Sequence, residues 1–353
     1  VKVWFHSSSI GELNAIMPLI KKFDNKIISV FTKSAYEYAK KNFSYTPIYR
    51  YFLDNPFTLK KILAEKPDIL IIAETEIWPN LILTSYKRNV KIFLVNGRVS
   101  DRSFKFYKAF LFFFGEIFKK FNRIYARSEN DELKFKLLKA KDVVFFGDLK
   151  IDAVSHNIID ISREELGFNR EDFIITFGSI RGKEIEKIIK VVDYFKDFKF
   201  IIAPRHFENI EKIIYELNRR NINWSLRVPF RPSSVIILNS FGELKSIYRI
   251  SDICFIGGTL ADYGGHNILE SLYFNKPTIV GPYYKNIKSY VDYFKNKNAV
   301  FVVRDENEMI ETIKIIRNNQ SLKDNISLVC EEFFKNHIGA TEKIYNDILK
   351  RIM

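Results

Sequence analysis

The chain has 353 residues, 47% hydrophobic and 28% charged, which excludes a disordered or fibrous protein and exceeds what a single core usually holds. Its formal charge of +14 favours an anionic partner: nucleic acid, an acidic membrane surface or a phosphorylated substrate. No block of five Lys/Arg and no nucleic-acid motif occurs, no run of about 18 apolar residues could span a membrane, and neither Cys254 nor Cys330 has a metal-ligand neighbour.

In chain order, short β-rich runs alternate with helical stretches. The first set of strands is predicted at 3–6, 26–31, 45–49, 68–72, 91–95, 123–126 and 143–146. Between the first two, Leu13, Ile16, Met17, Ile20 and Phe23 recur at spacings of three and four, which predicts a helix over 12–23. After a polar stretch near 148–160 the pattern restarts, with strands at 173–177, 199–203, 234–238, 252–256, 277–280 and 299–303. From Leu322 onward the chain reads as helix.

Strands alternating with helices predict parallel sheets covered on both faces. Two such doubly wound units in succession define an α/β fold of the GT-B architecture, two Rossmann-like domains facing across a cleft. The expected domains are 1–152 and 153–335, with 336–353 a helix crossing back to the first. Ligands are expected beyond the strand C-termini.

The candidate residues follow strands. In His6-Ser7-Ser8-Ser9-Ile10-Gly11-Glu12, Gly11 permits a tight turn and Glu12 falls in the first helical turn. There the helix dipole favours its ionised form, as a general base or as a cap. Glu74 and Glu76 flank Thr75 ahead of Trp78-Pro79-Asn80, where Pro79 suits a first helical turn. Arg98 follows the next strand in Asn96-Gly97-Arg98, and Lys150 lies in Gly147-Asp148-Leu149-Lys150 at the domain junction. The aromatic stretch 102–114 includes Phe112 and Phe113 and is framed by lysines. It fits an interfacial helix on an anionic bilayer, or a buried helix with solvated ends.

In the second half, Ser179 lies in a Gly-Ser turn at 178–179, and Pro204-Arg205-His206 ends a strand with a cation suited to phosphate. The glycine pairs Gly257-Gly258 and Gly264-Gly265, followed by His266-Asn267-Ile268-Leu269-Glu270, read as a backbone cradle for phosphate opening a helix.

Taken in order, these motifs, with Gly242-Glu243-Leu244, resemble those of the Kdo transferases, which move 3-deoxy-D-manno-octulosonic acid (Kdo) from CMP-Kdo to a lipid A precursor with inversion and without a metal. The resemblance implies Glu12 as general base, with Ser8, Gly11 and Arg98 on the acceptor side. Lys150 and one of Glu74 or Glu76 would stabilise the transition state. CMP contacts would come from Ser179, Pro204, Arg205, Gly242, Glu243, Leu244 and the segment Gly264, Gly265, His266, Asn267, Ile268, Leu269, Glu270. It also implies no cofactor, and a peripheral or monotopic place at the cytoplasmic face of the bacterial inner membrane; the hydrophobic N-terminal anchor common in the family is missing here or was removed. One loop departs from the pattern: Arg181 and Lys183 stand where members often carry Thr-His and an acidic residue. The competing readings are a sugar-nucleotide epimerase of the same architecture and a catalytically silent nucleotide-binding membrane module.

Overall fold

The computed structural model describes every residue except Phe52, Asn157 and Met353. The chain forms two compact units, Val1–His156 with His337–Met353, and Asn157–Asn336.

The first unit is built on seven strands: β1 (Val3–Ser7), β2 (Lys26–Val30), β3 (Ile48–Arg50), β4 (Ile69–Ala73), β5 (Lys91–Gly97), β6 (Arg123–Ala126) and β7 (Val143–Phe145). They pair in parallel in the order β3-β2-β1-β4-β5-β6-β7. Because side chains alternate along a strand, β4 feeds two cores. Ile69, Ile71 and Ala73 join Leu13, Ile16 and Ile20 of the helix Ile10–Ile20. Leu70 and Ile72 join Leu81, Ile82, Ile117 and Phe118 on the other face. Such a strand, ILIIA, can be apolar throughout because both faces are covered.

The helix Ala340–Ile352 completes the first unit, burying Ile344 and Ile348 in the same core as Leu13 and Ile16. Asp152 prepares its start by accepting hydrogen bonds from the N–H groups of Gly339 (2.9 Å) and Thr341 (2.6 Å). Farther along, Asp347 accepts from the Tyr125 hydroxyl at 2.6 Å and pairs with Arg123 at 3.1 Å.

The second unit has β8 (Ile174–Ile180), β9 (Lys199–Pro204), β10 (Trp224–Leu226), β11 (Val235–Ile237), β12 (Ile253–Ile256), β13 (Thr278–Val280) and β14 (Val300–Val302). Their order is β10-β11-β9-β8-β12-β13-β14, again parallel. Cys254 is buried on β12, and burial pushes its thiol up to about 12, so it is an inert core group.

Three local expectations are corrected. The third strand lies at 48–50 and not 45–49, because Tyr45 is fully exposed and the chain turns before Pro47. The edge strand β10 has only three residues and went unanticipated. The aromatic stretch is two helices, Asp101–Ala109 and Leu111–Phe118, broken at Phe110, whose φ of −106° and ψ of 36° leave the helical region.

In each sheet the strand order reverses at one point, between β1 and β4 in the first and between β8 and β12 in the second. Loops leaving neighbouring strands in opposite directions open a crevice there, where α/β sheets place ligands. Most candidate residues lie on the loops at these two reversals.

Candidate active site

At the first reversal the loop after β1 carries Ser8, Ser9 and Glu12. Ser9 caps the helix Ile10–Ile20, its hydroxyl accepting from the Glu12 N–H at 3.3 Å. The Glu12 carboxylate folds back to accept the Ser8 N–H at 2.6 Å and the Ser9 hydroxyl at 3.3 Å. This is a capping box whose carboxylate reaches one residue farther back than usual. The cap and the helix N-terminus favour the ionised form of Glu12, but burial works against them. Burial pushes its carboxyl up to about 7, the Ser8 N–H opposes this, and the charges of Glu74 and Glu76 raise it further. Gly11 makes no tight turn. It lies within the first helical turn, and a Cβ there would meet only Ser9 Oγ, at 3.8 Å.

The two neighbouring carboxylates come from the loop after β4. Glu74 sits at a φ of 54° with its N–H bonded to the Val95 carbonyl, and pairs with Lys150 Nζ at 2.6 Å. Glu76 accepts the Trp78 indole N–H at 2.7 Å, while the Trp78 ring stacks on Phe31. Burial and the charge of Glu74 hold Glu76 above the usual carboxylate range, against the Trp78 hydrogen bond. Thr75 donates to the Arg98 carbonyl, tying the loops after β4 and β5. The first unit thus gathers Ser8, Glu12, Glu74, Glu76, Arg98 and Lys150 around one reversal. Glu74 is paired with Lys150, and Glu12 is poised to exchange a proton near neutral pH.

At the second reversal the first glycine pair is no phosphate cradle. The N–H groups of Gly258 (2.8 Å), Thr259 (2.9 Å) and Leu260 (2.8 Å) all donate to the fully buried carboxylate of Glu184, which also accepts the Arg181 N–H at 2.8 Å. Donors bound to a carboxylate are unavailable to an anion. Gly257 is required sterically, since a Cβ would lie 2.5 Å from the Ser179 carbonyl oxygen. The second pair, Gly264 and Gly265, lies in a loop, and the helix begins only at Leu269.

The cations gather opposite this turn. Arg181 follows β8, Arg205 and His206 follow β9, and His266 follows β12. Arg181 Nη1 donates to His206 Nε2 at 2.8 Å, and its guanidinium lies over the Tyr263 ring at 4.5 Å. Burial, then Arg205, Arg181 and His206, push His266 down to about 4, so its ring is neutral. Glu270, one residue into its helix, is held above the usual carboxylate range by burial, opposed by Lys245, Asn267 and Arg205. Asn267 caps that helix by accepting the Leu269 N–H, and Ile268 and Leu269 are buried packing residues. Glu243 is occupied by Arg227 at 3.1 Å and by the Ser240 hydroxyl, so it orders the loop at Gly242 and Leu244. Pro204 is buried as the last residue of β9, and Ser179 holds a φ of 56° beside Gly257. Among the described residues, no group of three His, Cys, Asp or Glu side chains is spaced to hold a metal ion.

Residues 1–153 match the family model for 3-deoxy-D-manno-octulosonic-acid transferase (kdotransferase). A 3-deoxy-D-manno-octulosonic acid transferase from Aquifex aeolicus is 31% identical over 318 residues, covering 87% of this chain and 84% of that protein. This chain belongs to the Kdo transferase family. As a Kdo transferase it is a glycosyltransferase. A bifunctional glycosyltransferase/methyltransferase from Fusobacterium nucleatum is 34% identical across 94% of this chain, which spans only 55% of that protein's length. In fold, the Kdo transferase is similar to UDP-GlcNAc 2-epimerase from Neisseria meningitidis, with a TM-score of 0.66, 13% identity and coverage of 99% of this chain and 100% of that one. At that identity the likeness shows the GT-B fold alone.

Two residues of this Kdo transferase were missed as site residues in the sequence. Glu184 stands three positions after Arg181, a capping-box spacing that could have marked it. Tyr263 carried no local signal, because its partner Arg181 is 82 positions away, at the end of another strand. The aromatic helices present Phe112 at 79% exposure and Phe113 at 41%, with Phe106 and Phe110 also exposed, while Tyr107 and Phe114 pack inward. No helix among the described residues is long and apolar enough to cross a membrane.

Proposed function

We propose that this chain transfers Kdo from CMP-Kdo to a lipid A precursor, with inversion and without a metal ion, as a peripheral enzyme at the cytoplasmic face of the bacterial inner membrane. The observation that carries the reading is Glu12: a carboxylate with a proton affinity near neutrality, fixed by Ser8 and Ser9. In this reading Glu12 takes the proton from an acceptor hydroxyl, whose oxygen attacks the anomeric carbon of Kdo. The bond from that carbon to the CMP phosphate breaks, and CMP leaves with the bonding electrons. A single displacement inverts the centre. Lys150, paired with Glu74, is assigned with one of Glu74 or Glu76 to stabilising the transition state, the cation suiting developing negative charge and the carboxylate the positive charge on the sugar.

The second unit is assigned the donor. Arg205 suits the leaving phosphate and Glu270 the nucleoside, supported by the family and by the position of both at the reversal between β8 and β12. The exposed phenylalanines, flanked by Arg102, Lys105, Lys108, Lys119 and Lys120, suit an anionic bilayer, where the acceptor's acyl chains reside.

The test is transfer from CMP-Kdo, generated in situ, to a tetraacylated lipid A precursor in the presence of EDTA, read by mass spectrometry. A product heavier by one or more Kdo units is expected. Stabilisation of the protein by UDP but not CMP, with no transfer, would overturn the reading.

A further inference from the structure

The reversal between β8 and β12 holds more fixed positive charge than one phosphate needs. Arg163, Arg220, Arg227 and Arg249 of the same unit each meet a carboxylate. Among the described residues, neither Arg181 nor Arg205 has an acidic partner. His206 accepts the Arg181 hydrogen bond at Nε2, and His266, held down at about 4, is neutral. Two cations with no internal acid suit a ligand with two anionic groups.

Arg181 is also prepared for a ligand. Its N–H is bonded to Glu184, its guanidinium lies on Tyr263, and Nη1 is bonded to His206. A long side chain held at two points, on a backbone itself fixed by Glu184, loses rotamer freedom before the ligand arrives, which removes part of the cost of binding. One of its five N–H donors is used by His206, and the others remain for a ligand. Ile180 pairs with Pro204 across β8 and β9, and the Arg205 N–H donates to the Ile180 carbonyl at 2.9 Å, so Arg181 and Arg205 leave adjacent strand ends. Arg205 is already assigned the phosphate, which leaves Arg181 for the second anion.

We infer that Arg181 binds the sugar carboxylate of the donor while Arg205 binds its phosphate. The assignment rests on the proposed CMP-Kdo donor. An octulosonic acid activated at its anomeric carbon carries the carboxylate on the same carbon as the phosphate oxygen, so its two anions stand side by side, as the two arginines do. The Arg181 pair selects an acidic sugar over a neutral one, and Tyr263 and His206 are its supports.

The experiment uses the whole chain and the variants Arg181→Gln, Arg181→Lys and Arg205→Gln. Calorimetry gives the Kd of CMP, which lacks the sugar carboxylate, and initial rates give the KM for CMP-Kdo. Arg181→Gln is expected to leave the CMP Kd within about twofold and to raise the donor KM about tenfold or more, with partial recovery in Arg181→Lys. Arg205→Gln is expected to weaken both. Retained CMP binding also reports that the variant is folded. Wild-type transfer with an unchanged donor KM in Arg181→Gln overturns this assignment alone, as does an equal loss of CMP and donor. A wild-type chain that binds no CMP overturns the donor reading and this assignment together.

Discussion

Glu12 is held between two demands, stability and chemistry, that pull its proton in opposite directions. Its folded proton affinity, near pH 7, exceeds the ordinary carboxylate value of 4.5. A group shifted upward stabilises the fold fully below the unfolded value and loses that contribution as pH rises through the folded one. Above pH 7 the ionised Glu12 therefore destabilises the first unit, while transfer requires that ionised form. Glu12→Gln keeps an acceptor for the Ser8 N–H and removes the charge. It is expected to abolish transfer, leave CMP affinity unchanged, and stabilise the protein at pH 8 by about 1–3 kcal/mol relative to wild type. Thermal unfolding at pH 4 and pH 8 checks this: the gain should nearly vanish at pH 4. In the wild type, kcat/KM should rise with pH through about 7, the acidic limb reporting Glu12. The identity of this residue was legible in the sequence from its place after a strand. Its proton affinity was not, because that depends first on burial and then on Glu74 and Glu76, which arrive from the far side of the strand-order reversal. The same limit explains the glycine pair at 257–258. Glycines before a turn suggested an anion, and the anion proved to be Glu184 of the chain itself.

At the scale of elements, strand alternation and helical spacing were legible wherever apolar runs were long, as in β1, β4, β5 and β8. The three-residue edge strand β10 went unread because it is too short for alternation to show, and β3 was displaced by a few residues where Tyr45 proved exposed. The aromatic stretch was read as one segment because its break at Phe110 involves neither Gly nor Pro, the usual punctuation. That break sets the helices Asp101–Ala109 and Leu111–Phe118 so that Tyr107 packs on Phe114 (4.7 Å) and Phe118 (5.5 Å), while Phe112 and Phe113 stay outside. The substitution of Phe112 and Phe113 by Ser should therefore leave the melting temperature nearly unchanged. It should lower binding to vesicles containing anionic lipid about tenfold or more, measured by co-sedimentation. Unaltered sedimentation would remove the membrane role of these side chains.

At the scale of the molecule, the first unit depends on a helix supplied after the second unit has been traversed. The anchors of that helix are ionic as well as apolar. Burial alone would raise the Asp347 carboxyl, but Tyr125, Arg351 and Arg123 outweigh it and hold it below the ordinary value. Its contribution is thus present above about pH 4 and lost as pH falls. Asp347→Asn should destabilise the first unit at pH 7 by about 1–2 kcal/mol, an effect that fades toward pH 3; chemical denaturation at the two pH values measures it.

The same helix sets an order of events. Residues 157–336 are contiguous, so the second unit has all its strands as soon as His337 is made. The first, though begun earlier, still lacks Ile344, Ile348 and Asp347. The N-terminal-first order usual in synthesis therefore cannot complete the first unit before the second has been made. Until that helix is made, Leu13 and Ile16 lack the apolar partners Ile344 and Ile348, so the unit assigned the proton-accepting chemistry needs residues from both sides of the other unit.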